Sequence, residues 1–98
     1  MAYQIIITKK FEKSAVKTSH WLEKEWSLKS AIDFDEKLKK IITELSINPN
    51  IGRISKKKNI RSFRVTKHNR IYYKIFKNQI IILDLFESKQ NPKRNKFE

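Results

Sequence analysis

Ten lysines and arginines, and no carboxylate, lie between Leu45 and Leu83: Arg53, Lys56, Lys57, Lys58, Arg61, Arg64, Lys67, Arg70, Lys74 and Lys77. A run of like charges repels itself and weakens the compact state, so its persistence points to an anionic partner. Nucleic acid, an acidic protein and a membrane surface are the candidates. His68 sits inside the run, and an imidazole can both take up and release a proton, which suits it to proton transfer. The nearest carboxylates on the C-terminal side are Asp84 and Glu87.

The chain has 98 residues and a formal net charge of +13, enough sequence for one domain spanning 1–98 with a modest core. The charge is uneven. Residues 1–50 carry nine lysines and seven acids, whereas residues 51–98 carry fourteen basic residues and three acids. A charge serving solubility alone would be spread over both halves, so the asymmetry marks a local anion-binding face. Without cysteine there are no disulfides, thiolate metal sites or thiol nucleophiles, and His20 and His68 are too few for a histidine-rich metal site. Neither metal nor cofactor is expected. Apolar runs such as Ile80–Leu83 fall far short of a membrane span, and the first residues do not read as a signal peptide. The cytoplasm is the expected location.

Elements that would position the basic residues follow from periodicity. Gln4–Thr8 is a β-branched strand candidate. Phe11, Ala15, Leu22 and Trp26 then recur at helical spacing, with Trp21 and Trp26 expected to pack between helices. Ser27 is a candidate N-cap for a second helix, whose stripe is Ala31, Phe34, Leu38, Ile41, Ile42 and Leu45. Asn48-Pro49 should end that helix. The short link makes the pair an αα-hairpin. Residues 51–59 read as a polar loop. Ile60–Thr66, Arg70–Lys77 and Gln79–Glu87 read as a three-stranded antiparallel meander, and residues 88–98 as a polar tail. The resulting fold class is α+β, a small antiparallel sheet with two helices on one face.

Strand alternation sorts the basic residues. Phe63 and Val65 share a face, as do Ile71, Tyr73 and Ile75. In the last strand, Ile81, Leu83 and Leu85 alternate with Ile80, Ile82, Asp84 and Phe86. The opposite face of the first two strands presents Arg64, Arg70 and Lys74 beside Tyr72. Candidate nucleic-acid contacts are thus Lys56, Lys57, Lys58, Arg61, Arg64, Arg70 and Lys74. The aromatic pair Tyr72 and Tyr73 reads as sheet packing rather than as a platform for bases.

The order strand, two amphipathic helices and meander resembles the RelE/ParE superfamily of toxins from bacterial type II toxin–antitoxin, or plasmid stabilisation, systems. The matching segments are the first-helix region ending in Trp26, Ala31-x-x-Phe34, Leu45-x-x-Asn48-Pro49-x-x-Gly52, Arg61-Ser62-Phe63-Arg64-Val65 and His68-Asn69-Arg70-Ile71-Tyr72-Tyr73-Lys74-Ile75. The segment Ser88-Lys89-Gln90-Asn91-Pro92 resembles the closing segment of a ParE-like branch. The resemblance covers nearly the whole chain.

It implies a growth-blocking toxin acting through a basic groove and neutralised by an acidic, amphipathic and partly disordered antitoxin. Two targets are open: mRNA cut on the ribosome, or DNA gyrase. Metal-free RNA cleavage needs a base, a charge stabiliser and an acid for the leaving oxygen. By resemblance, Arg70 and Arg64 would hold the phosphate, and His68, Glu87 or Lys89 would move protons. His68 reads equally as a solvated turn residue, and Glu87 and Asp84 as ion-pair partners of nearby basic side chains. The His-Tyr constellation of several nuclease members is missing after the last strand, where Ser88-Lys89-Gln90 stands instead. The alternative function is a non-toxic nucleic-acid- or ribosome-binding module, since charge alone does not separate binding from catalysis. A membrane is disfavoured, because the two helices are nearly charge-balanced.

Overall fold

The computed structural model describes residues 2–57 and 59–87. Its elements run β1 (Gln4–Ile7), α1 (Lys9–Glu25), α2 (Leu28–Ile47), a 3₁₀ turn (Pro49–Ile51), β2 (Arg53–Ile54), β3 (Ile60–Arg64), β4 (Asn69–Phe76) and β5 (Gln79–Glu87). The expected α+β class holds, with two helices against a sheet. Lys58, Lys89 and the tail 88–98 lie outside the described residues.

Both helix starts are capped by hydroxyls. Thr8 Oγ1 accepts the Phe11 N–H at 3.2 Å, and Ser27 Oγ accepts the Ser30 N–H at 3.0 Å, each satisfying a donor that helix geometry leaves open. Asn48 closes α2 just before Pro49. The α2 stripe buries Ala31, Phe34, Leu38, Ile41 and Leu45. Together with Phe11 of α1, the α2 side chains Phe34, Leu38, Ile41 and Leu45 form one core with Ile71, Tyr73, Ile80, Ile82 and Leu85 from the sheet. Trp21 and Trp26 do not join it. They are 48% and 72% exposed, correcting the expectation that they pack between helices. Helical spacing alone did not reveal that α1 ends at Glu25, which leaves Trp26 at its C-cap.

The sheet order is β1-β5-β4-β3-β2. It is mixed rather than antiparallel, because β1 runs parallel to β5 in the register Gln4↔Gln79 to Ile7↔Ile82. Strand direction depends on how the intervening chain crosses, which a four-residue apolar run does not encode. The segment expected as loop also contributes β2, a two-residue edge pairing Arg53 with Ser62 and Ile54 with Arg61.

Alternation fails once, in β5. The ladder pairs Tyr72 with Asp84 but Tyr73 with Ile82, so Leu83 is an extra residue. This β-bulge reverses the parity of β5, and Ile80, Ile82 and Leu85 all reach the core. The simple division into Ile81-Leu83-Leu85 and Ile80-Ile82-Asp84-Phe86 is thereby overturned. Thr8 sits at the irregularity, its hydroxyl 2.8 Å from the Ile82 carbonyl and 3.1 Å from that of Leu83. Asp84 follows the bulge and is buried. Its carboxylate accepts the Ser14 hydroxyl at 2.7 Å and the Leu85 N–H at 2.8 Å, and lies 3.6 Å from Lys10 Nζ. Asp84 thus ties α1 to β5, rather than neutralising a basic residue across the strands.

Candidate anion-binding face

Strands β3 and β4 turn opposite residues to the same side of the sheet. Arg64 stands directly across from Arg70, Ser62 from Tyr72, and Ile60 from Lys74. Two guanidinium side chains in directly opposed positions repel each other, so this pairing favours an anion between or above them. Arg70 is held in place by its Nε, which donates to Ser62 Oγ at 3.2 Å. Ser62 is fully buried, so the hydroxyl fixes the guanidinium from beneath. Phe86 lies across β4–β5 from Arg70 and supplies an apolar neighbour. Arg64 is exposed and Arg70 and Lys74 half-buried, while Ser62 and Tyr72 between them are sealed. The grouping of Arg64, Arg70 and Lys74 expected from alternation is thus found in the structure. Ser62 and Phe86 were not singled out from sequence, although both carry the parity of that face.

Other candidates separate from this row. Tyr72 shares the face but is only 1% exposed, so it offers no open ring for stacking. Arg61 lies opposite Tyr73 on the core side, and its Nη1 donates to the Gly52 carbonyl at 2.9 Å. It therefore braces the 3₁₀ turn, which corrects its place among the groove residues. Lys56 and Lys57 are exposed in the β2–β3 loop. That loop is shaped by Ser55, whose Oγ accepts the Lys57 N–H at 3.2 Å.

Among the described residues, neither proton-transfer candidate joins the row. His68 is exposed in the turn between β3 and β4, where its backbone N–H donates to Thr66 Oγ1 at 3.2 Å. Glu87 pairs with Asn69, one position beyond the Arg70–Phe86 pair, so alternation turns it to the opposite face from Arg70. Lys89 is outside the described residues. No cluster of three potential metal-binding side chains occurs among the described residues, and no helix among them is long and apolar enough to cross a membrane.

The core side of the same strand carries a second polar constellation. Tyr73 Oη donates to the Pro49 carbonyl at 2.6 Å and accepts the Gly52 N–H at 3.0 Å. A Cβ on Gly52 would clash with that oxygen, so glycine is required by close approach. Burial raises the Tyr73 pKa above its ordinary value of 10.0, against the lowering effects of the Gly52 hydrogen bond and the Arg61 charge. Tyr73 is therefore a neutral hydroxyl clamp that closes the 3₁₀ turn onto the sheet.

The sequence matches the ParE toxin of the parDE type II toxin–antitoxin system over residues 5–92. No curated protein sequence matches. Among solved structures, the chain is similar to the chromosomal ParDE toxin–antitoxin system of P. aeruginosa, with TM-score 0.77 and 13% identity over 88% of this chain and 96% of the other. The YoeB/ParE toxin of Agrobacterium tumefaciens gives TM-score 0.62 and 13% identity, covering 86% and 97%. The RelBE2 toxin–antitoxin complex of Mycobacterium tuberculosis gives 0.59 and 17%, covering 89% and 99%. These likenesses share the fold of two helices against a small sheet, and the family match covers nearly the whole sequence: the chain belongs to the ParE toxin family of type II toxin–antitoxin systems.

Proposed function

We propose that this chain is the growth-blocking toxin of a two-protein module in the cytoplasm, and that when free it acts on a DNA gyrase–DNA complex without cutting RNA. The basic row of Arg64, Arg70 and Lys74 meets the anionic partner. The carrying observation is that the row is assembled, whereas among the described residues no acid–base pair stands beside it. Arg64 and Arg70 face each other with Ser62 beneath, whereas His68 is out in a turn and Glu87 has the opposite parity. Phosphate contacts position a protein on nucleic acid; transesterification needs in addition a base and an acid within reach of the reacting oxygens.

A cognate antitoxin, acidic and amphipathic, would silence the toxin by covering this row while ordering on it. The ParDE and RelBE2 neighbours are toxin–antitoxin systems, which supports a partner of that kind.

The test is induced expression with and without the adjacent small gene, followed by mapping of transcript ends and a supercoiling assay with purified gyrase. The expected result is growth arrest relieved by the partner, intact transcripts and lost supercoiling. New transcript ends at ribosome-occupied sites would transfer the function to mRNA cleavage. Normal growth with salt-sensitive RNA binding would identify a non-toxic nucleic-acid-binding module instead.

A further inference from the structure

The basic face of the sheet is not one continuous surface. Ser62 and Tyr72 at its centre are 0% and 1% exposed, and they separate Arg64 and Arg70 from a second basic group at the other end of the same strands. There β4 puts Lys74 and then Phe76 on this face, because both have the parity of Arg70. Phe76 is 56% exposed. Lys77 follows in the short turn to β5 with φ 56°, a left-handed backbone that lysine rarely adopts. Its Nζ stands 5.5 Å from the centroid of the Phe76 ring. The β2–β3 loop reaches the same end. Ile60 lies across from Lys74, and its N–H donates to the Lys57 carbonyl at 3.2 Å while its carbonyl accepts the Ser55 N–H at 2.9 Å. Exposed Lys56 and Lys57 are thereby carried to the Lys74 end of the ladder. The neighbours across the sheet are neutral: Gln79 and then Gln4 beside Phe76, and Ile60 and Ile81 beside Lys74. Glu44, the nearest carboxylate in sequence on the N-terminal side, belongs to α2 in the helix layer.

We propose that this lysine end of the sheet binds single-stranded nucleic acid, with an unpaired base stacked on Phe76 and neighbouring phosphates on Lys56, Lys57, Lys74 and Lys77. Each part of such a ligand has a counterpart here. Lysine meets a phosphate as a point charge without fixed geometry, which suits a flexible backbone. An open ring accepts any base, and stacking beside basic groups holds single strands without sequence preference. The 5.5 Å between the Lys77 ammonium and the Phe76 ring puts a charge and a stacking surface within reach of one nucleotide. A duplex keeps its bases inside and offers none to Phe76. An acidic peptide would meet the lysines but brings no base to the ring. The site lies apart from Arg64 and Arg70, which carry the toxin reading. Its failure would leave that reading intact, since toxicity is measured separately by growth.

Fluorescence anisotropy of a labelled oligothymidylate with the purified full-length chain tests it, beside an abasic strand, a duplex of equal length and polyglutamate. All variants are matched to wild type by circular dichroism. Phe76→Ala should weaken binding of the single strand at least about fivefold. Phe76→Trp should retain or strengthen it, whereas Phe76→Leu, which keeps apolar bulk without the ring, should fall with Phe76→Ala. The abasic strand and the duplex should bind wild type and Phe76→Ala equally, because they offer only phosphates. A Lys56→Gln/Lys57→Gln chain should lower the salt slope of single-strand binding by roughly one. Single-strand affinity that is unchanged in Phe76→Ala, or kept in Phe76→Leu, would overturn the proposal. So would an equal Phe76→Ala loss for the abasic strand or the duplex, or a salt slope that the lysine pair does not alter. Polyglutamate that binds tighter than the single strand and depends on Phe76 would overturn it in favour of an acidic protein.

Discussion

The two sides of strand β4 follow different rules. On the core side, Ile71 and Tyr73 are fully buried, and the tyrosine hydroxyl both donates and accepts a hydrogen bond within the fold. On the other side, one residue away in each direction, Arg70 faces Arg64 across the ladder. The first arrangement uses burial and satisfied polar atoms to fix the chain. The second places like charges opposite each other, an arrangement that an anion between them would relieve. On this strand the sealed Ile71 and Tyr73 thus alternate with the basic Arg70 and Lys74, so stability and binding chemistry should separate under mutation at these positions.

The largest expected effect comes from emptying the core side. Ile71→Ala should lower the unfolding free energy in urea by about 2–5 kcal/mol, the usual range for a large-to-small change at a sealed site. Next comes the tyrosine clamp. Tyr73→Phe leaves the Gly52 N–H and the Pro49 carbonyl without their partner, and Gly52→Ala forces a Cβ onto the Tyr73 hydroxyl. Each should cost about 1–3 kcal/mol in the same measurement. On the binding side, Arg64→Gln should leave the urea midpoint unchanged or slightly raised, because it removes a like-charge opposition, while growth arrest on induction weakens. A midpoint lowered as much as by Tyr73→Phe would break the division between the two sides.

The smallest effect concerns pH. The Tyr73 pKa is raised in the folded protein, so above about pH 10, the ordinary tyrosine value, unfolded chains lose this proton while folded ones retain it. Stability should therefore fall as pH rises from the unfolded pKa through the folded one. Tyr73→Phe should flatten that part of the profile, and denaturation curves collected at stepped alkaline pH would show it.

Much of this was readable from sequence, because the governing rules are local. Ser27 as a cap, the α2 stripe and the Asn48-Pro49 stop each depend on neighbouring residues, as does the shared face of Arg64, Arg70 and Lys74. What sequence missed depends on distant contacts. The parallel pairing of Gln4–Ile7 with Gln79–Ile82 joins strands 75 residues apart. The bulge at Leu83 inserts one residue that no alternation rule announces, and it decides where Asp84 and Leu85 point. Arg61 carries the same charge as its neighbours, yet its parity assigns it to the Gly52 carbonyl. Gly52, the single glycine of the chain, is the one local mark of the close approach to Tyr73, and it does not say which side chain approaches. The helical period could not distinguish a tryptophan between helices from one beyond the last turn, and Trp26 proved to be the latter.

The most direct measurement of the central claim is the growth of cells induced to express wild type or an Arg64→Glu/Arg70→Glu chain, with protein level and thermal unfolding matched. Wild type should arrest growth with transcripts intact, and the charge-reversed chain should fold and permit growth. Arrest by a folded, charge-reversed chain equal to that of wild type would contradict the assignment of toxicity to this face.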